Sequence, residues 1–282
     1  MTVKIAQNNY GKSRVRLMKV ARDTVRHEIQ NLTVDIALEG DFDAIHIKGD
    51  NGLCLPTDTM KNTVYALAGE TREIEAVEAF GQRLAAYLLA NNSHVTRVRV
   101  NLAEHGWKRM KVGEGEHDHS FVRGSGEKRL AIIDATREKT TVESGVEDLI
   151  VLKTTRSGFA GFPRDKYTTL PEATDRIFST AIKAVWRYET PEAATDDVFH
   201  SIRQTIIEIF AGHDSRSVQH TLYAMAEAVL EHFAEVTEIS FSLPNIHCLP
   251  IDMTKFGQQN ENRIFVPTDE PHGLIEARLC RQ

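Results

Sequence analysis

The chain has 282 residues, 41% hydrophobic and 26% charged, the balance of a globular protein with apolar material for one large core or two ordinary ones. A net charge of -6 without a long basic block excludes a nucleic-acid binder built on clustered Lys and Arg, and an anionic ligand would need a local cationic pocket. No apolar run approaches the roughly 18 residues of a membrane span, and the N-terminus carries no signal-like segment, so no membrane partner is expected and the chain is expected to stay inside the cell.

In chain order, the alternation of Leu32, Val34, Ile36 and Leu38 predicts a half-buried strand. After the turn-like Glu39-Gly40-Asp41, Ile45 and Ile47 predict a second short strand, completing a hairpin. Ile74, Val77, Leu84 and Leu88 recur at helical spacing up to Asn91-Asn92-Ser93, and Val98, Val100 and Leu102 then predict another strand. The second half repeats the order, with helical spacing in Val198, Ile202, Ile206 and Ile209 and in Val218, Leu222, Met225, Val229 and Phe233, then a strand through Ile239 and Phe241.

Val95 to Leu102 and Val236 to Leu243 are the strongest internal echo, each following a helix and lying about half a chain apart. The echo implies two copies of a strand-strand-helix-helix-strand-strand unit, residues 1–135 and 136–282, divided near Ala135. Antiparallel sheets with helices on one face leave edges open, which predicts closure by association between subunits.

Cys54, Cys248 and Cys280 are distant and form no CxxC pair, so neither a disulfide framework nor a thiolate metal site is expected. No GxGxxG, GxxxxGK[ST] or HExxH occurs, and Gly113-Glu114-Gly115 and Gly124-Ser125-Gly126 read as GxG fragments in a polar loop. His117-Asp118-His119 offers two imidazoles on one side of an extended segment, but two nitrogens without a third ligand do not make a metal site, and none is expected.

From Leu149 to Arg176 the chain reads LIVLKTTRSGFAGFPRDKYTTLPEATDR, with Lys153, a Thr-Thr pair, Phe159, Phe162, Tyr167, Leu170 and Arg176 at fixed spacings. That stretch resembles the signature of the urate oxidase family. Similar segments follow the same order along the chain: Asn9 to Lys12, Pro56 to Thr63, His117 to Phe121, Ser217 to Gln219, and Ser242 to His247. The resemblance implies an α+β tunnelling fold (T-fold) of tandem units, with barrels completed by oligomerisation into a homotetramer and active sites at subunit interfaces.

It also implies cofactor-free oxidation of urate by O2 and water to 5-hydroxyisourate, releasing hydrogen peroxide in purine catabolism. Urate is flat, electron-rich and anionic, so its site needs a stacking surface, a cationic fork and an amide able to donate and accept. By resemblance Phe159 stacks on the purine, Arg176 grips one edge, and Gln219 pairs with the opposite edge, assisted by the Val218 backbone. Asp58 belongs with Thr57 among the substrate-binding residues. The resemblance further implies that Lys12 and Thr57 form a proton relay supported by His247, and that Asn245 helps hold oxygen or water above the ring.

Lysine acts as a base at neutral pH only where desolvation or neighbouring positive charge lowers its pKa, so a catalytic Lys12 must be partly buried. Taken alone, Lys12 reads as a surface charge in a Gly-Lys-Ser turn, Phe159 as a core aromatic, Arg176 as a solvated charge and Gln219 as a polar residue near a helix start. Ala160 and Cys248 depart from the family pattern, which favours bulkier residues there. The end Leu279-Cys280-Arg281-Gln282 lacks the peroxisomal Ser-Lys-Leu address of eukaryotic relatives, so a bacterial cytosol is the expected location. The alternatives are a pterin-type enzyme of the same fold, with zinc held by His117, His119 and another histidine, and a purine-binding module without oxygen chemistry.

Overall fold

A computed structural model describes residues 3–281 as strands and helices in two compact units. One comprises residues to 145 together with 187–199, and the other residues 146–186 together with those from 200 onward.

In the first unit, β1 (Tyr10–Ala21), β2 (Glu28–Gly40), β3 (Val95–Val112) and β4 (Gly115–Thr136) pair antiparallel in sequence order. The alternation in β2 does what its pattern demands, burying Leu32, Val34, Ile36 and Leu38 almost completely. The helices α2 (Thr57–Glu70) and α3 (Val77–Asn91) cover that face, and Phe80, Leu84 and Leu88 of α3 meet it with Val98, Val100 and Ile133 from the strands. Glu78 sits wholly buried at the start of α3, where Arg129 donates to it at 2.6 Å and the Ser144 hydroxyl also donates.

The second unit holds most of β5 (Thr140–Lys153) and β6 (Phe178–Tyr188), then α4 (Asp196–Gly212), α5 (Val218–His232), β7 (Val236–Pro250), β8 (Phe265–Thr268) and β9 (Leu274–Cys280). Strand β7 pairs with β9 along its first half and with β8 along its second. Ile206 and Phe210 of α4, Leu222, Met225 and Val229 of α5, Ile182 of β6 and Ile239 and Phe241 of β7 are all buried. Ser217 caps α5 by accepting the His220 amide at 3.1 Å, which fixes the first turn carrying Val218 and Gln219.

Three local expectations are corrected. Ile45 and Ile47 lie in a short helix, α1 (Asp43–Lys48), ended by Gly49 in the left-handed conformation at φ 66°. That glycine was the stop signal, and two alternating isoleucines were too few to outweigh it. The partner of β2 is instead β1, and Lys12 lies in that strand rather than in a turn. Gly124-Ser125-Gly126 belongs to β4 rather than to a loop, because backbone pairing with β3 extends the ladder through polar sequence that carries no alternation signal, and His117-Asp118-His119 lies in the same strand, extended as expected.

Candidate active site

The expected site residues fall into two groups, one in each unit. In the first unit, β1 presents Lys12 and the first turn of α2 presents Thr57 and Asp58. Pro56 precedes that turn, buried Met60 and Val64 anchor it, and Asp58 is tied to its own helix by Lys61 at 2.5 Å and Asn62 at 2.9 Å. The Lys61 hydrogen bond and its charge hold the Asp58 carboxyl below the usual carboxylate range, and the Lys12 ammonium adds to the effect. Lys12 and α2 are therefore neighbours, and Lys12 is half-buried. Among the described residues nothing hydrogen-bonds the Thr57 side chain, which leaves its hydroxyl open to a ligand.

In the second unit, the segment between β5 and β6 is folded onto the start of α5 by a short ladder. Ser215 donates its amide to Arg156 at 2.9 Å and accepts from Gly158 at 2.7 Å, while Phe159 and Ala173 exchange amide bonds at 2.7 and 3.0 Å. The Arg176 amide closes back on Ser157 at 2.7 Å. Asp175 reinforces this corner by accepting from the Thr155 hydroxyl at 2.7 Å, a bond that holds its carboxyl below the ordinary range. These bonds bring Phe159, Arg176 and the Val218-Gln219 turn together.

Phe162 backs the Phe159 ring in a parallel stack, with centroids 4.9 Å apart and planes 12° apart, and the Arg176 guanidinium carbon lies 5.3 Å from the Phe159 centroid. Arg176 is half-buried, and burial alone pulls its pKa down. Among the described residues no carboxylate pairs with it. An uncompensated, partly desolvated guanidinium is costly unless a ligand anion completes it, and its planar fork favours a bidentate partner. The free amide hydrogens and positive end of the α5 macrodipole add to the attraction for an anion.

Asn245 and His247 lie two residues apart on β7 and so share a face, with the Asn245 amide donating to Gly273 at 2.8 Å and His247 paired opposite Thr268. No hydrogen bond or ring contact joins either of them to Phe159, Arg176 or Gln219 among the described residues.

Sequence reasoning gave Lys153 no task and passed over Ser215. The Lys153 amine donates to the carbonyls of His213 at 2.7 Å and Phe210 at 3.3 Å, capping the end of α4, and burial lowers its pKa. The buried Ser215 hydroxyl donates to the Ser217 carbonyl and accepts from Thr221 at 2.6 Å, so the chain leaving α4 is fixed before α5 begins. Only the placement of Lys153 inside the signature stretch hinted at its importance. On β4 and the β1–β2 connection, His117, His119 and His27 form a ring cluster at 4.5 and 5.9 Å. No group of three His, Cys, Asp or Glu side chains among the described residues is arranged to hold a metal ion.

An antiparallel α+β unit with helices on one face, carrying an aromatic plate beside an unpaired guanidinium, suits a planar anionic heterocycle and has the T-fold architecture. The sequence profile of the Uricase family matches residues 8–134 and 142–276. Uricase from Arthrobacter globiformis is 44% identical over 280 residues, 99% of this chain and 91% of its own length, and uricase from Danio rerio is 39% identical over 286 residues, covering 99% and 96%. A crystal structure of the Arthrobacter globiformis uricase superposes with a TM-score of 0.95 over 100% of this chain and 96% of that one, and one from Bacillus fastidious gives 0.85 at 25% identity over 97% and 93%. The chain belongs to the uricase family and is an oxidoreductase of the urate oxidase kind. That membership decides against the pterin-type alternative.

Proposed function

We propose that the chain oxidises urate with O2 and no cofactor, with urate, O2 and water giving 5-hydroxyisourate and hydrogen peroxide. The observation that carries this reading is Arg176, a half-buried cation without a protein anion, set beside the Phe159 ring. Phe159 stacks on the purine, the Arg176 fork takes one edge, and Gln219 with the Val218 backbone takes the other. Among the described residues the Gln219 side-chain amide has no hydrogen-bond partner, so both its donor and acceptor are free for a ring edge.

Triplet oxygen reacts slowly with closed-shell molecules, and here the two electrons come from urate itself. The protein's part is to raise the electron density of the ring by removing a proton. The Thr57 hydroxyl passes that proton toward the Lys12 side chain, Asp58 contributes to the substrate-binding turn, His247 supports the relay and Asn245 holds oxygen or water above the ring. Electron transfer, recombination at C5 as a hydroperoxide and attack by water complete the reaction.

The two residue groups belong to one site in a homotetramer, the Lys12-Thr57 group of one subunit facing the Phe159-Arg176-Gln219 group of a neighbour. Support comes from their placement in separate units and from the open apolar surface on β5, where Ile150 and Leu152 are 66% and 53% exposed. The repeats divide near Ala135, into residues 1–135 and 136–282, a reading supported by the two stretches over which the family profile matches. No helix among the described residues is long and apolar enough to cross a membrane. A bacterial cytosol is the proposed location, supported by the likeness to the Arthrobacter relative.

The test is to chelate the protein exhaustively, add urate in air, and follow urate absorbance with oxygen uptake and peroxide release. Loss of absorbance coupled to uptake, without added metal or cofactor, is the expected result. Activity that returns only with metal overturns the cofactor-free reading, and urate binding without oxygen uptake reduces the protein to a purine-binding module.

A further inference from the structure

We propose that Asp35 is a positioning residue that places Lys12 on the helix-facing side of the sheet, by holding open a bulge in β1. The inference rests on the relay read for Lys12 above and goes beyond it by naming what sets that lysine's direction.

Side chains alternate along a strand, so residues two apart share a face. Val15 and Leu17 face the core, opposite buried Val34 and Leu32. Counting back by twos from Val15 reaches Ser13 and Gly11, and a regular strand would turn Lys12 to the opposite face. The observed register differs: Lys12 pairs with Ile36 and Tyr10 with Leu38, both partners buried under the helices. Between Lys12 and Val15 the ladder shifts, so that Ser13 and Arg14 together oppose the single residue Asp35. That one extra residue reverses the parity and aims Lys12 at α2, where Asp58 feels its charge.

The bulge has two supports. Arg14 takes the left-handed conformation at φ 59°, rare for a residue other than glycine, and its amide, at the register shift, donates to Asp35 Oδ1 at 2.7 Å. On the other side of Lys12, Gly11 lies so close to β2 that a Cβ there would stand 1.7 Å from the Ile36 carbonyl oxygen. Aspartate is disfavoured inside a strand paired on both sides, as β2 is with β1 and β3. Its acceptance of the Arg14 amide gives that unusual placement a task.

The experiment compares Asp35→Ala, Asp35→Asn, the double variant Asp35→Ala/Arg14→Gly, and Lys12→Met in the full-length protein. It reads kcat in air, the Kd for urate under anaerobic conditions, and hydrogen exchange at the Arg14 amide. A misplaced relay lysine should lower kcat by about 30-fold in Asp35→Ala, while the urate Kd stays within about two-fold because Phe159, Arg176 and Gln219 are untouched. Exchange at the Arg14 amide should accelerate with it. Asp35→Asn keeps the acceptor oxygen and should restore most of the turnover, and Arg14→Gly, at ease in the left-handed region, should recover part of it without the carboxylate. If Asp35→Ala does not fold, the double variant carries the test: turnover supports the inference, and a folded, inactive protein overturns it. Full turnover in Asp35→Ala with a large loss in Lys12→Met overturns the inference alone. Wild-type turnover in Lys12→Met removes the relay and the inference together.

Discussion

Two side chains of the second unit make the chemistry testable one atom group at a time. In the proposed site Arg176 grips urate through a planar fork, which lysine cannot copy although it keeps the charge. Arg176→Lys should therefore lower kcat/KM for urate by about 10- to 100-fold, the worth of a charged bidentate contact, and steady-state kinetics on the purified protein will measure it. Retained kcat/KM would mean that charge alone suffices. His213 sits at the end of α4 with its Nδ1 3.1 Å from the Thr221 hydroxyl. Burial, followed by the positive charge of His220 and Lys153, holds its imidazole below the ordinary value of 6.5. The folded state thus binds this proton less readily than the unfolded chain. Its contribution to stability is complete above pH 6.5 and is lost as pH falls through the depressed folded value. Thermal melts from pH 8 to 5 should show wild type losing more Tm than His213→Asn, and parallel curves would rule His213 out.

Among the elements, α3 and the segment preceding α5 show how polar groups fix position inside apolar layers. The Glu78 carboxylate is fully buried, and its partner Arg129 also reaches Asp196 at 2.7 Å and lies over the Phe199 ring at 4.1 Å. Removing the carboxylate leaves a largely buried guanidinium whose direct ion-pair partner is the exposed Asp196. Glu78→Ala should therefore destabilise the protein by about 3 kcal/mol, visible as a lower denaturation midpoint at unchanged slope. An unchanged midpoint would show that Asp196 compensates alone. In the second unit, Lys153, Ser215 and Ser217 act in series, capping the end of α4, pinning the connection and capping the start of α5. The Val218-Gln219 turn of the proposed site thus owes its position to Lys153, Ser215 and Ser217.

For the whole molecule, the property to test is the proposed association. Ile150 and Leu152 point apolar side chains outward from β5, at neighbouring positions of one strand face. Lysine at both places should weaken assembly and lower specific activity in parallel, because a separated subunit holds only half of each proposed site. Light scattering and urate turnover over a range of protein concentrations will follow both quantities. A stable monomer with full activity would overturn the shared-site reading.

The sequence by itself determined what depends on local period and on joint motif spacing. The pattern of β2, the helices α3, α4 and α5 and the strand β7 all follow from which side chains must leave water, and that demand repeats with the geometry of each element. The stretch from Leu149 to Arg176 named Phe159 and Arg176, and Ser217 to Gln219 named the α5 turn, because several spacings had to agree at once. Tertiary structure decided the rest. Strand β1 is polar and interrupted, so its pairing with β2 could be found only from the partner's register. The direction of Lys12 depends on a bulge held by a carboxylate on the neighbouring strand, and that Arg176 has no carboxylate partner among the described residues emerges only once every nearby carboxylate has been placed. Periodicity reports how a residue meets water. It carries no record of which distant group it meets instead, and that pairing is where the proposed chemistry resides.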